Sequence, residues 1–273
     1  MIPIINVIMK LSIITVNYND AEGLERTIKS VISQTFNDYE FIVIDGGSTD
    51  GSVDVIKKYE DHIDYWVSEP DGGVYSGMNK GVDRAHGLYC NFMNSGDSFY
   101  DVVTLEKIFR TNHEEDIFVG DAIFFHDGYI TDSRPSREIS LYHLYSGALP
   151  HQASFIKTSL LQKYPYDDKL KIVSDWKFFI QSIILDNCSF KYIDIIVAKY
   201  DNNGISSKNQ TKMREEKNMV LGQFFPPRIL ADYEYLKSSE CLTQKLTPQL
   251  RKCYRIDKLL YSIGNTLIKM FGK

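Results

Sequence analysis

The stretch Tyr89-Cys90-Asn91-Phe92-Met93-Asn94-Ser95-Gly96-Asp97 passes abruptly from an apolar run to turn-forming polar residues. Its first five residues read as a buried strand, and Asn94-Ser95-Gly96 as turn chemistry. Asp97 therefore falls just past the carboxyl end of a strand, where open α/β sheets place their ligands. A carboxylate at that point is equipped to hold a divalent cation, and a cation there to hold a diphosphate. An Asp that only closes a turn would look the same in isolation. The surrounding chain decides between the two.

Upstream, Leu11-Ser12-Ile13-Ile14-Thr15-Val16 is a β-rich apolar run that breaks into Asn17-Tyr18-Asn19-Asp20, with Asp20 placed to cap a helix. Leu24, Ile28, Val31 and Ile32 recur at helical spacing to about Gln34. Tyr39 to Asp45 is a second strand, and Gly46-Gly47-Ser48-Thr49-Asp50-Gly51 opens another helix. Tyr65 to Ser68 is a third strand, followed by a Pro70-Asp71-Gly72-Gly73 turn and a helix carrying Asn79 and Lys80 back toward the central strand. The result is a βαβαβ array, the Rossmann-like half of many nucleotide-binding folds. No Gly-x-Gly-x-x-Gly follows the first strand and no Walker A sequence occurs, so dinucleotide and P-loop chemistry are disfavoured. Lys80 is able to lie against phosphate as a compact positive charge. Asp71 either fixes its loop or meets a sugar hydroxyl.

Four separated segments, 12–19, 44–51, 71–81 and the strand ending in Asp97, stand in the order and spacing of one family. The N-terminal hundred residues resemble the nucleotide-sugar-binding half of a family 2 glycosyltransferase. The segments around Pro70–Gly81 and Asn94–Asp97 are most similar to enzymes of bacterial exopolysaccharide, O-antigen and colanic acid assembly. The resemblance implies a GT-A fold: an α/β domain with a mixed, mainly parallel sheet flanked by helices. It further implies that Thr15, Val16 and Asn17 line the nucleobase pocket with Asp45 and Gly46, the Asp45 carboxylate accepting a hydrogen bond from the base. Ser48 holds the turn, Asp71, Asn79, Lys80, Asn94 and Ser95 complete the donor site, and Asp97 coordinates Mn²⁺ or Mg²⁺. The family commonly writes Asp-x-Asp where this chain has Asn94-Ser95-Gly96-Asp97. A single carboxylate with phosphate oxygens and waters still makes an oxygen shell for such a cation.

Downstream, a helix is expected from Phe99 to about Arg110, then strands over Ile117–Asp121 and Ala122–Phe125, with an Asp127-Gly128 hairpin turn. His151 and Gln152 precede an apolar strand, and the resemblance sets them near donor and acceptor. Ser174-Asp175-Trp176 opens a run at helical spacing through Ile184. A carboxylate in a first helical turn is held ionised by the dipole, which suits a base that takes a proton from an acceptor hydroxyl. A helix-start charge without chemistry is the alternative. Asp175 matches the family's base position, with Ser174 and Trp176 beside it, and the family implies inversion at the sugar. Asn202-Asn203-Gly204-Ile205-Ser206 resembles a loop that closes over the donor.

The chain has 273 residues, of which 43% are hydrophobic and 25% charged, enough for one large domain and an appendage. We expect a catalytic domain over 1–210, with a donor half at 11–97 and an acceptor half at 98–210, and a helical extension over 211–273. Met9 is read as the natural start. A net charge of −5 argues against nucleic acid as a partner. The four cysteines lack metal-ligand spacing. From Gln244 to Lys273, seven Lys and Arg interleave with apolar residues against the single acid Asp257. Such a helix either lies on an anionic membrane surface or packs on its own domain. The expected protein is a cytoplasmic transferase, at the inner membrane face if the helix binds lipid. It would move a sugar from a nucleotide diphosphate donor to a glycan or lipid-linked acceptor. A non-catalytic nucleotide-sugar-binding protein and a metal-dependent nucleotidyltransferase are the alternatives. The latter should carry a basic Gly-rich loop after its first strand, which Asn17-Tyr18-Asn19-Asp20 is not.

Overall fold

In the computed structural model, which describes residues 9–126, 129–201, 209–251 and 262–263, the first strand, β1 (Leu11–Asn17), is buried along its whole length. Asp20 caps α1 (Ala21–Ile32) by accepting the Gly23 N–H at 3.0 Å, and Leu24, Thr27, Ile28 and Val31 form the buried face of that helix. β2 (Tyr39–Asp45) runs parallel to β1, with Asn17 opposite Asp45. α2 (Ser52–Lys58) leads to β3 (Tyr65–Ser68), which puts Ser68 opposite Asp45. α3 (Val74–Arg84) returns to β4 (Tyr89–Phe92), parallel to β1 on its other side. Three parallel strands thus end level at Asn17, Asp45 and Ser68, while β4 ends at Phe92 opposite Ile14. Gly81 lets α3 press onto β1, since a methyl group there would stand 2.4 Å from Ile14 Cγ2.

Beyond Asp97 the sheet becomes mixed. β5 (Ser98–Phe99), α4 (Thr104–Phe109), β6 (Ile117–His126), β7 (Tyr129–Ser133), α5 (Leu141–Ser146), β8 (Ser154–Lys157), α6 (Thr158–Lys163), α7 (Ser174–Phe179) and β9 (Phe190–Asp201) follow in order. The sheet runs β3-β2-β1-β4-β8-β6-β9-β5, with β7 paired to β6. β8 is antiparallel to both β4 and β6. This is the mixed α/β architecture expected of the GT-A fold.

Local expectations fail in three places. The helix expected from Phe99 begins only at Thr104, because Ser98 and Phe99 pair with Lys199 and Ala198 of β9. The two strands expected over 117–125 are one strand, β6, with irregular register against β9 around Val119, Asp121 and Ala122. The helix expected through Ile184 is α-helical only to Phe179 and continues as a π-helical turn over Ile180–Leu185.

The chain divides into two units, Met1–Val220 and Leu221–Lys273. α8 (Gln210–Phe224) starts where the extension was expected, yet its Glu216 is bonded into the first unit, to the backbone of Lys171 and Ile172. α9 (Pro227–Arg251) starts behind Pro226 and is the main element of the second. No described helix is long and apolar enough to cross a membrane. The Asp127-Gly128 turn, the 202–206 loop, Met1 to Ile8 and most of the basic 244–273 stretch lie outside the described residues.

Candidate active site

At the ends of β1, β2 and β3, the buried Asp45 carboxylate is a hydrogen-bond hub. Its Oδ1 accepts from Asn17 Nδ2 at 2.7 Å and Ser48 Oγ at 2.5 Å. Its Oδ2 accepts from the Ser48 N–H at 2.9 Å and Ser68 Oγ at 2.6 Å. Burial opposes ionisation, but the bonds from Ser48, Ser68 and Asn17 outweigh it and hold the carboxyl below its ordinary range. Two bonds on each oxygen fill the acceptor positions of a carboxylate. A base donor aimed at Asp45 would have to displace one of them, whereas the buried Asn17 Oδ1 has no partner among the described residues. Gly46 brings the Asp71 carboxylate close: a methyl at Gly46 would lie 3.4 Å from both Asp71 oxygens. Asp71 itself accepts the Gly73 N–H at 2.7 Å and shapes the entry to α3.

A second group forms around Asp97. Thr27 Oγ1 of α1 donates to the carbonyls of Asn94 at 3.1 Å and Asp97 at 2.7 Å, tying the turn to the first helix. Burial pushes the Asp97 carboxyl up to about 7, against the nearby His151 and hydrogen bonds from Gln152 and the Asn94 backbone. The His151 ring lies between the Asp175 carboxylate and the Asn94 side-chain amide. Its Nδ1 lies 3.4 Å from Asp175 Oδ2, and its Nε2 lies 3.3 Å from Asn94 Nδ2. Burial alone would lower the imidazole pKa, but Asp175 and then Asp97 raise it above its ordinary value. Reciprocally, burial would raise Asp175, and His151, the Tyr75 hydroxyl and the Trp176 N–H together bring it below the ordinary carboxylate range. Asp175 Oδ1 receives both the Tyr75 hydroxyl and the Trp176 N–H at 2.9 Å. The result is an oriented, ionised carboxylate beside an imidazole.

The donor set near Asp97 fits a hard cation. Asp97 is a buried carboxylate poorly matched in charge, and the neighbouring buried Asn94 Oδ1 has no hydrogen-bond partner among the described residues. Two oxygen donors, completed by phosphate and water oxygens, would suit Mg²⁺ or Mn²⁺.

The side chains of the other expected site residues make different contacts. Thr15 is fully buried and its hydroxyl goes to the Met93 carbonyl at 2.7 Å, so it braces the sheet and does not line a pocket. Asn79 clamps Tyr166, donating to its carbonyl at 2.8 Å and accepting its N–H at 2.9 Å. Lys80 pairs with Glu69 at 2.9 Å. Val16 is nearly buried, and the Ser95 N–H donates to its carbonyl at 3.1 Å. Trp176 is buried, with Nε1 donating to the Leu144 carbonyl at 2.7 Å, and anchors α7. Ser174 is buried beside Asp175, its hydroxyl without a partner among the described residues.

Two residues were missed. Ser68 sits level with Asp45 in the sheet, and a serine at that strand end was the available signal. Tyr75 shares the buried face of α3 with Met78 and Val82. Only the rule that a buried Tyr hydroxyl finds a partner pointed further.

This pattern has counterparts among known proteins. The model of glycosyl transferase family 2 matches residues 12–184. The chain belongs to glycosyl transferase family 2. Within that family it is 34% identical over 210 residues to an uncharacterised glycosyltransferase of Mycobacterium tuberculosis, covering 73% of this chain and 78% of the relative. It is 31% identical over 201 residues to a PGL/p-HBAD biosynthesis glycosyltransferase of Mycobacterium bovis, covering 71% and 77%. The fold is similar to that of S. aureus TarS in complex with UDP, at a TM-score of 0.60 and 20% identity. That match covers 76% of this chain and 64% of the TarS structure, so the chain spans less than two thirds of it.

Proposed function

We propose that this family 2 enzyme is an inverting transferase that moves a sugar from a nucleoside diphosphate sugar to a hydroxyl of a glycan or lipid-linked oligosaccharide. The observation that carries the reading is Asp175: an ionised carboxylate oriented by Tyr75, His151 and the Trp176 N–H, in one group with Asp97. Asp175 takes the proton of the acceptor hydroxyl as that oxygen attacks the anomeric carbon. The bond to the diphosphate oxygen breaks on the opposite face and the diphosphate leaves with the electron pair, inverting the anomeric centre. Asp97, with Asn94 Oδ1, would hold a divalent cation, whose chemistry when bound is neutralisation of charge on the diphosphate. Asn17, Gly46, Ser48 and Asp71 form the end of the sheet that receives the nucleoside, and Asn17 Oδ1 is the unfilled acceptor there. His151 and Gln152 lie between donor and acceptor sides. The UDP carried by the TarS structure supports a nucleotide donor, and the PGL/p-HBAD biosynthesis name of the M. bovis relative supports a biosynthetic transfer. With the basic 244–273 stretch, they favour work in the cytoplasm at the inner membrane face, in cell-surface polysaccharide assembly such as O-antigen or capsule.

The test is a thermal-shift panel of UDP, GDP, CDP, dTDP and ADP, each with and without Mn²⁺. A ligand that binds only the folded protein raises its melting temperature by mass action. One diphosphate should give a shift that Mn²⁺ enlarges. No shift with any of them sinks the donor-site reading.

A further inference from the structure

Glu216, on α8, is 6% exposed and its partners are two consecutive backbone amides. Oε1 accepts the Lys171 N–H and Oε2 the Ile172 N–H, both at 2.9 Å. The same Ile172 presents its carbonyl to the Tyr75 hydroxyl at 2.7 Å, and that hydroxyl lies 2.9 Å from Asp175 Oδ1. Lys171 adds a second tie, its Nζ donating to the Gly72 carbonyl at 2.8 Å just before α3. Lys171 and Ile172, just ahead of α7, are therefore fastened on one side to α8 and on the other to α3 and the turn before it. Val173, the residue before α7, supplies no side-chain cap. With the Tyr75 hydroxyl, the Glu216 clip is thus a side-chain anchor of the turn that delivers Asp175.

We propose that Glu216 is a positioning residue for the transfer, a role that rests on the reading of Asp175 as the base. Glu216 fixes the Ile172 carbonyl. That carbonyl and Asp175 divide the single proton of the Tyr75 hydroxyl, and the division sets the direction of the Asp175 carboxylate. The requirement is for a carboxylate in particular. Two converging N–H groups need two acceptor oxygens, and glutamine supplies one, with an NH₂ group opposing the second amide. Glu216→Gln keeps the volume and breaks half of the clip.

The assay is slow transfer of the sugar to water from whichever nucleoside diphosphate sugar the wild-type protein binds, which needs no acceptor. Misplacement of a catalytic group by a fraction of an ångström lowers turnover steeply, so E216Q should lose about 10- to 100-fold in kcat. Donor Kd by calorimetry should stay within about twofold, because Glu216 bonds the Lys171 and Ile172 amides and none of Asn17, Gly46, Ser48 and Asp71. E215Q, an exposed neighbour on the same helix, should match wild type. Combined with Y75F, E216Q should add little, since both act on one carboxylate; independent effects would multiply. Unchanged kcat in E216Q overturns the proposal. So does a loss in which kcat and donor affinity fall together and the double mutant is multiplicative, the signature of general structural damage. A wild-type protein that binds a nucleotide sugar yet leaves it intact removes the transferase reading and this proposal with it. A working wild type with an unaffected E216Q removes only the latter.

Discussion

Replacing Asp45 by Asn changes one atom of a buried hub. The carboxylate accepts four hydrogen bonds, from Asn17, Ser68 and both the hydroxyl and the N–H of Ser48. In Asp45→Asn one oxygen remains and still serves two donors. The other becomes an NH₂ group facing the Ser48 N–H and the Ser68 hydroxyl. The hydroxyl rotates and accepts, whereas the amide cannot. One stranded buried donor, together with the loss of a charged acceptor, costs about 2–4 kcal/mol. For a unit of this size that is a fall of about 5 to 15 °C in Tm. Thermal unfolding by circular dichroism at pH 7 measures it. The pH dependence gives a second reading. Asp45 has its pKa lowered on folding, burial being outweighed by its hydrogen bonds. The folded state therefore binds fewer protons than the unfolded one. Its contribution is complete above the ordinary carboxylate pKa and is lost as pH falls through the folded value. The gap between wild type and D45N should narrow below about pH 4. A Tm within about 2 °C of wild type at pH 7, or a gap that persists in acid, would refute the hub as a source of stability.

The remaining expectations are briefer. Gly81→Ala should destabilise by about 1–3 kcal/mol, seen in urea unfolding, because the new methyl meets Ile14; a neutral result would mean that α3 shifts freely. Asp175→Asn should lose most turnover with nucleotide binding intact in calorimetry, and equal loss of both would make Asp175 a binding residue. Asp97→Ala should abolish the Mn²⁺-dependent part of nucleotide binding, and its retention would move the cation elsewhere. Deleting the residues after Gln244 should abolish flotation with anionic vesicles, and unchanged flotation would leave the basic stretch without a membrane role.

Much of the donor half was legible because its signals are local. Alternation, apolar runs and Gly-rich turns each depend on neighbours a few residues away, so β1 to β4 and the Asp20 cap could be read from the chain. Phe99 illustrates the opposite case. Its helical spacing with residues downstream was overruled by pairing with Ala198, about a hundred positions later. The resemblance sets Thr15 in the nucleobase pocket, but its side chain is buried and its hydroxyl donates to the carbonyl of Met93 in the adjoining segment.

By itself, the sequence determined the βαβαβ order, the turn that ends in Asp97, the helix start that carries Asp175 and the family resemblance. Each rests on the chemistry of contiguous residues. The tertiary structure alone decided that His151 lies between Asn94 and Asp175, that Tyr75 orients Asp175 across 100 positions of chain, and that Lys80 answers Glu69. Hydrogen bonds between distant segments depend on how the sheet and helices bring backbone and side chains within about 3 Å, and no local pattern encodes that distance.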